Sequence, residues 1–441
     1  MKNAITIGVQ SPQIYLPRKG IDLKKWAVVA CDQYTAQPEY WEKVAEFVGD
    51  APSTLHLIFP EAYLNAPDAL QRIETIQSTM HKYLAEGILE PHEGMIYVER
   101  QVDGKTRHGL VLCLDLERYD YHRGTTSLIR PTEGTIIERI APRVKIRQNA
   151  VLELPHILVL IDDPQQTVIE PITEQKSKLH KLYETELMFG GGFLEGYALD
   201  AALENHVLNA LMALVQPSVF APRYHVEEDT PVLLFAVGDG NHSLATAKSV
   251  WEQLKPTVDE NHPARYALVE IENVHDQGIV FEPIHRLLFG VKKDLRIALK
   301  EAFGEHLRLE PVQSREQMIR RVQAKQMSSQ SFGLIFGGEP IGFAVAEITK
   351  PTSNLAIGTL QTFLDQFLKQ NGADEIDYIH GEDALMQLST PADRVGFYLP
   401  AMSKHALFET VIRDGVLPRK TFSMGEAHEK RYYLEARRIL P

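Results

Sequence analysis

Residues 233–248 read LLFAVGDGNHSLATAK. An apolar run of strand length stops at Gly238-Asp239-Gly240-Asn241-His242-Ser243 and a helical pattern follows, so the spacing predicts a buried strand over 232–237, a tight turn and a helix over 244–254. A helix that opens at such a break leaves several backbone N–H groups without intrahelical partners. With the helix dipole, those donors suit an anion, phosphate above all. Gly238 and Gly240 let a ligand approach the backbone closely. Asp239 is suited to take a proton from an attacking hydroxyl or to hold a metal, and Asn241, His242 and Ser243 offer donors to phosphate oxygens. The same letters also have an ordinary reading: Asp-Gly makes plain turns, and Ser243 is a common helix cap. The turn is not a Walker loop, since Gly-Lys-Ser/Thr is missing, and not a dinucleotide fingerprint, since Ser243 stands at the third glycine position.

Before this turn, the spacing predicts helices over 38–48, 67–86, 174–188 and 199–215, a strand-like 26–30, and a hairpin of 94–100 and 109–116 around Asp103-Gly104. Pro142 is placed to start a helix running to about residue 152, and 156–161 reads as a strand. After the turn come a strand over 266–271, helices over 295–303 and 315–324, and a hairpin of 332–336 and 341–346. Helices near 360–369 and 403–414 precede a charged tail. Strands and helices mix without a regular β-α-β beat, which makes α+β the expected class. With 441 residues two or three units are expected, drawn at 1–120, 121–290 with the Asp239 turn, and 291–441.

Lys+Arg number 46 against 59 Asp+Glu, a formal charge of -13; the chain as a whole repels polyanions and lacks the basic footprint of a nucleic-acid binder. Two cysteines, Cys31 and Cys113, are too few for a disulfide framework, which fits a reducing cytoplasm. The N-terminus lacks a signal peptide's apolar core, and the longest apolar runs are strand-sized, so neither export nor a membrane partner is expected. The 17 histidines are scattered without a His-Glu-x-x-His, and no Gly-x-Ser-x-Gly elbow occurs. Oligomeric state is not legible.

The Asp-Gly-Asn-His-Ser segment resembles the Asp-Gly-His-His-Arg motif of a large microbial family of unknown function, numbered 1015, related to the ParB/sulfiredoxin-like fold. Further likeness lies in Asp32-Gln33-Tyr34, Arg130-Pro131-Thr132-Glu133-Gly134-Thr135, the segment from Arg143 to Arg147, Pro283-Ile284-His285-Arg286, and Leu417-Pro418-Arg419-Lys420-Thr421-Phe422-Ser423. The resemblance implies a mixed-sheet core of that fold with additional α/β subdomains. It further implies the chemistry of archaeal free-serine kinases, which phosphorylate L-serine through this motif. Asn241 and Ser243 depart from it: Ser cannot replace a guanidinium as a bidentate phosphate ligand.

The missing cation is therefore sought elsewhere. Arg143 and Arg147 lie one turn apart near the expected helix start, where an anionic partner would relieve their conflict with the dipole; a solvated basic face is the plain alternative. Glu133, on a loop between threonines, is a candidate for substrate binding or general base. His285-Arg286, at an expected strand-to-helix transition, are further phosphate-binding candidates, though a cap and an ion pair explain them as well. Asp32-Gln33-Tyr34 is explained most cheaply as a turn. The expectation is a cytoplasmic phosphotransferase acting on a small metabolite, L-serine first, with ATP, ADP or pyrophosphate as donor and Mg2+ held by carboxylates such as Asp239. Its rivals are a non-catalytic nucleotide-responsive module of ParB type and an inert scaffold.

Overall fold

The computed structural model describes residues 7–324 and 329–440; residues 1–6, part of the stretch searched for a leader, lie outside them. The chain forms two compact units, Met1–Ile279 with Gly425–Pro441, and Val280–Met424. Both are mixed α and β, as expected. No helix among the described residues is long and apolar enough to cross a membrane.

The first unit is built on a nine-stranded mixed sheet among the described residues. Its order is Ile129–Pro131, Phe235–Asp239, Leu158–Ile161, Tyr266–Asn273, Lys105–Asp115, Ile96–Val102, Gly192–Ala198 and His180–Leu187, with Val9–Gln10 on Lys105–Asp115. The period of two along a strand sends alternate residues to opposite faces. Leu110, Leu112 and Leu114 join Ala267, Val269 and Ile271 in a core beneath the helices Ala201–Leu214 and Asn241–Leu254. On the other face Val111, Cys113 and Leu268 pack with Ile76 and Met80 of the helix Ala69–Ala85 and with Tyr433, Leu434 and Ala436 of the returning C-terminal segment.

That second face also buries charge. Arg107 Nε lies 2.5 Å from Glu272 Oε1, and its Nη2 donates to the Tyr433 hydroxyl at 2.9 Å. Arg100, Glu270 and Glu435 are buried nearby on the same face. Burial pushes Glu435 up to about 7, despite a hydrogen bond from Tyr183. Gly109 makes this layer possible: a Cβ there would meet Glu270 Oε1 at 2.3 Å.

Among the described residues the second unit carries a seven-stranded sheet, ordered Leu307–Val312, Gly342–Ile348, Gln330–Phe336, Val395–Tyr398, Phe281–Phe289 and Glu375–His380, with Phe422–Met424 on Phe281–Phe289. Leu334, Phe332 and Phe397 pack there against Leu360, Phe363 and Leu364 of the helix Ala356–Lys369.

Several local expectations are corrected. Residues 180–187 form a strand rather than part of a helix, because they pair antiparallel with Gly192–Ala198 across the Gly190-Gly191-Gly192 bend; sheet pairing overrides local helical spacing. Trp26 ends a short helix, Leu23–Trp26, whose N–H groups at Lys24 and Lys25 bond the Asp22 carboxylate. His285 and Arg286 sit within the strand Phe281–Phe289, not at a strand-to-helix transition.

Candidate functional site

The strand Phe235–Asp239 runs into the helix Asn241–Leu254 through one residue, Gly240, at φ +77°. A side chain in this left-handed region is strained, and a Cβ here would also lie 3.0 Å from Ile157 Cα. Gly240→Ala is therefore expected to cost about 1–3 kcal/mol of stability, read by urea unfolding of the first unit. Gly240 has no side chain with which to cap the helix, so its first N–H groups are left facing outward from the turn.

A neighbouring loop is brought here by parallel pairing of Ile129–Pro131 with Phe235–Val237. Thr132 continues the pairing through its hydroxyl, which donates to Val237 O at 2.7 Å. Glu133 follows and is half-buried. Further on, the Ile136 N–H donates to His242 Nε2 at 3.3 Å, so that nitrogen is an acceptor and the ring is neutral. Burial first, then the charges of Arg143 and Arg139, hold His242 down at about 4. The folded state thus resists protonation more than the unfolded chain does, and this contribution to stability is whole above about pH 6.5 and lost as pH falls toward 4. A His242→Asn variant is expected to lose less stability than the wild type between pH 6.5 and 4, as followed by denaturant midpoints.

The cation at Asp239 comes from the far end of the chain. Lys430 Nζ lies 3.1 Å from Asp239 Oδ2, with both side chains 21% exposed. Its backbone is fixed where Ala30 N–H donates to Lys430 O at 2.8 Å. Burial opposes the charge on Lys430, but Asp239, Asp32 and Glu133 outweigh it and raise its pKa. Asp32 is likewise disfavoured by burial, yet His156, a hydrogen bond from Gln33 and the Lys430 ammonium hold its carboxyl below the usual range. His156 Nε2 meets Ser243 Oγ at 2.9 Å. Buried polar atoms without a protein partner gather around the turn: Asn241 Oδ1, Thr135 Oγ1 and His156 Nδ1.

The structure thus brings Asp239, His242, Ser243, Glu133 and Arg143 into one neighbourhood. Arg143 is only partly available, being bonded to Glu61 at 2.5 Å; burial raises the Glu61 pKa against that pull. The helix carrying Arg143 is Ile140–Arg147, so Arg143 lies mid-helix and Arg147 at its end, not at its start. Their conflict with the helix dipole disappears with that placement. Arg147 is committed to Glu153, which Arg437 also binds. Arg130 is structural: it donates to the backbone oxygens of Ser127 and Pro231, and burial lowers it to about 10. His285 and Arg286 belong to the second unit. His285 Nδ1 accepts from Leu399 N–H there, and Arg286 donates to Gln361 and to the carbonyls of Arg419 and Lys420.

Lys430, His156 and Glu61 were not legible as site residues. Lys430 sits in a charged tail in the sequence, and only the return of residues 425–440 to the first unit sets it beside Asp239.

No curated protein matches the chain. Among the solved structures that resemble it, each at 12% identity, are a free serine kinase mutant in complex with ADP, a free serine kinase in complex with AMP, and a conserved hypothetical protein from Pyrococcus furiosus. Their TM-scores are 0.38, 0.35 and 0.33, with 74%, 74% and 75% of this chain covered and 92%, 91% and 95% of theirs. Likenesses at that level are too remote to assign an activity. A family model of proteins of unknown function, DUF1015, matches residues 15–367, and with most of the chain inside that match this protein belongs to the DUF1015 family.

Proposed function

We propose that the first unit transfers a phosphoryl group from a nucleotide or pyrophosphate to the hydroxyl of a small polar metabolite, with L-serine the first acceptor to test. The observation that carries the reading is the meeting of Lys430 with two carboxylates, Asp239 and Asp32, at a helix N-terminus that no side chain caps. Phosphoryl transfer depends mainly on positioning and charge neutralisation, which these groups supply without a covalent nucleophile. Lys430 and the backbone N–H groups of the turn hold donor phosphate, and Lys430 takes the place of the guanidinium that Ser243 lacks. Asp239 accepts the acceptor's proton, and Glu133 orients the acceptor. Asp239, Asp32 and Glu133 offer oxygen donors of the kind Mg2+ takes, and that ion supplies charge neutralisation when it arrives with the donor. The ParB/sulfiredoxin-like core is part of the same proposal, supported by the mixed sheet and its strand-turn-helix.

The test is a screen of the purified chain with ATP, ADP and pyrophosphate against amino acids and sugars, with Asp239→Asn as control. Turnover abolished by the variant is expected. Nucleotide bound but not consumed, with a change in oligomeric state, points instead to a regulatory module of ParB type. Absence of both turnover and stabilisation by phosphate compounds overturns the reading.

A further inference from the structure

The hairpin of Ile96–Val102 and Lys105–Asp115 turns at Asp103 and Gly104, both at positive φ, +49° and +74°. That tip meets the short helix Ala427–Glu429 of the C-terminal segment. His428 Nε2 lies 3.0 Å from Asp103 Oδ2, and Glu429 is the third member: its carboxylate, the His428 ring and the Asp103 carboxylate place ligand atoms mutually within 4.8 Å.

Each of the three is held in place by the structure around it. Glu429 Oε1 accepts from Glu426 N–H at 2.8 Å in a capping box, which fixes the carboxylate. The Glu429 carbonyl accepts from buried Arg100 at 3.3 Å, and the His428 carbonyl accepts from buried Arg431 at 2.9 Å. Two fixed guanidinium groups thus anchor the backbone from which both side chains project. Asp103 is fixed by the tight hairpin.

We propose that Asp103, His428 and Glu429 bind a divalent transition-metal ion of the Zn2+ class, which fastens the C-terminal segment to the hairpin tip. One imidazole and two carboxylates form a mixed nitrogen and oxygen set favoured by such ions, with water completing four-coordination. Bonds of about 2.0–2.2 Å to a tetrahedral ion set neighbouring ligands roughly 3.3–3.5 Å apart. The 3.0 Å His428–Asp103 separation is near that spacing already, and the three ligand atoms lie within 4.8 Å of one another. The ion takes the place of the proton between His428 Nε2 and Asp103 Oδ2, which moves to Nδ1 of a neutral ring or to solvent from a charged one. Lys430 is the next residue in the chain, so the clamp holds the segment that delivers it.

The full chain, stripped with a chelator, is titrated with Zn2+ by calorimetry and with Co2+ by visible absorption. Saturable binding of one ion is expected, with the absorption of a four-coordinate Co2+ site. Asp103→Asn and His428→Ala should each weaken affinity at least about tenfold, because each leaves only two strong ligands. Glu429→Gln keeps an acceptor for the capping box and should weaken binding with the metal-free unfolding midpoint unchanged. Absence of saturable binding overturns the proposal, as does binding that all three variants retain. The readout is metal occupancy, so the result is independent of whether the Asp239 turn transfers phosphate.

Discussion

Asp239→Asn is expected to lower phosphoryl transfer by about 10²–10⁴-fold, the range for loss of a general base. Asn keeps the size of the side chain and can still accept a hydrogen bond from Lys430, so the fold at the turn should survive. The loss then belongs to the proton-accepting oxygen. Lys430→Gln tests the other half of the pair and is expected to cost about 10²–10³-fold, as does removal of one preorganised donor at a developing charge. In the proposed reaction, Lys430 acts on the donor phosphate and Asp239 on the acceptor proton. The first variant should thus lower kcat with little change in the acceptor's KM, while the second also raises the KM for the donor. Steady-state rates with donor and acceptor varied separately read both effects. Unchanged turnover in Asp239→Asn would sink the assignment.

The second large effect is on stability. Arg107→Met should destabilise the first unit by about 3–5 kcal/mol, because it leaves Glu272, fully buried at 0% exposure, without its cation. Burial already raises the Glu272 pKa strongly even with Arg107 in place, and the neighbouring Glu270 adds to it. The double variant Arg107→Met, Glu272→Met should recover much of the loss, since an apolar pair of similar volume avoids desolvating two charges. All three tryptophans, Trp26, Trp41 and Trp251, lie in the first unit, so intrinsic tryptophan fluorescence during guanidinium unfolding reports that unit alone. A double variant as unstable as the single one would place the cost in lost packing rather than in the stranded carboxylate.

Much of the local structure was legible because local physics fixes it. The Asp103-Gly104 turn set its hairpin, and apolar spacing set the helices Pro38–Val48 and Ala69–Ala85. The strand-turn-helix around Gly240 also formed where the letters placed it, within a few residues at each end. Errors fell where partners distant in sequence decided the outcome. Residues 180–187 became a strand because Gly192–Ala198 lies beside them. His285 and Arg286 were expected at a strand-to-helix transition but lie within the strand Phe281–Phe289, where His285 Nδ1 accepts from Leu399 N–H and Arg286 donates to Gln361 and to the Arg419 carbonyl.

For the candidate site, the sequence by itself determined the strand-turn-helix with its two glycines and its acid, through short-range backbone sterics and hydrogen bonding; that the helix opens at Asn241, with Gly240 rather than Ser243 in the cap position, appeared only in the structure. It also left a cation to be sought elsewhere, since Ser243 carries none. Only the tertiary structure decided which cation. Arg147 was consumed by Glu153 and Arg143 was shared with Glu61, while the C-terminal segment returned to the first unit and set Lys430 3.1 Å from Asp239. Contacts across nearly two hundred residues are made by the burial of Tyr433, Leu434 and Ala436 on a sheet face, and no local pattern encodes which charged side chain that burial carries along.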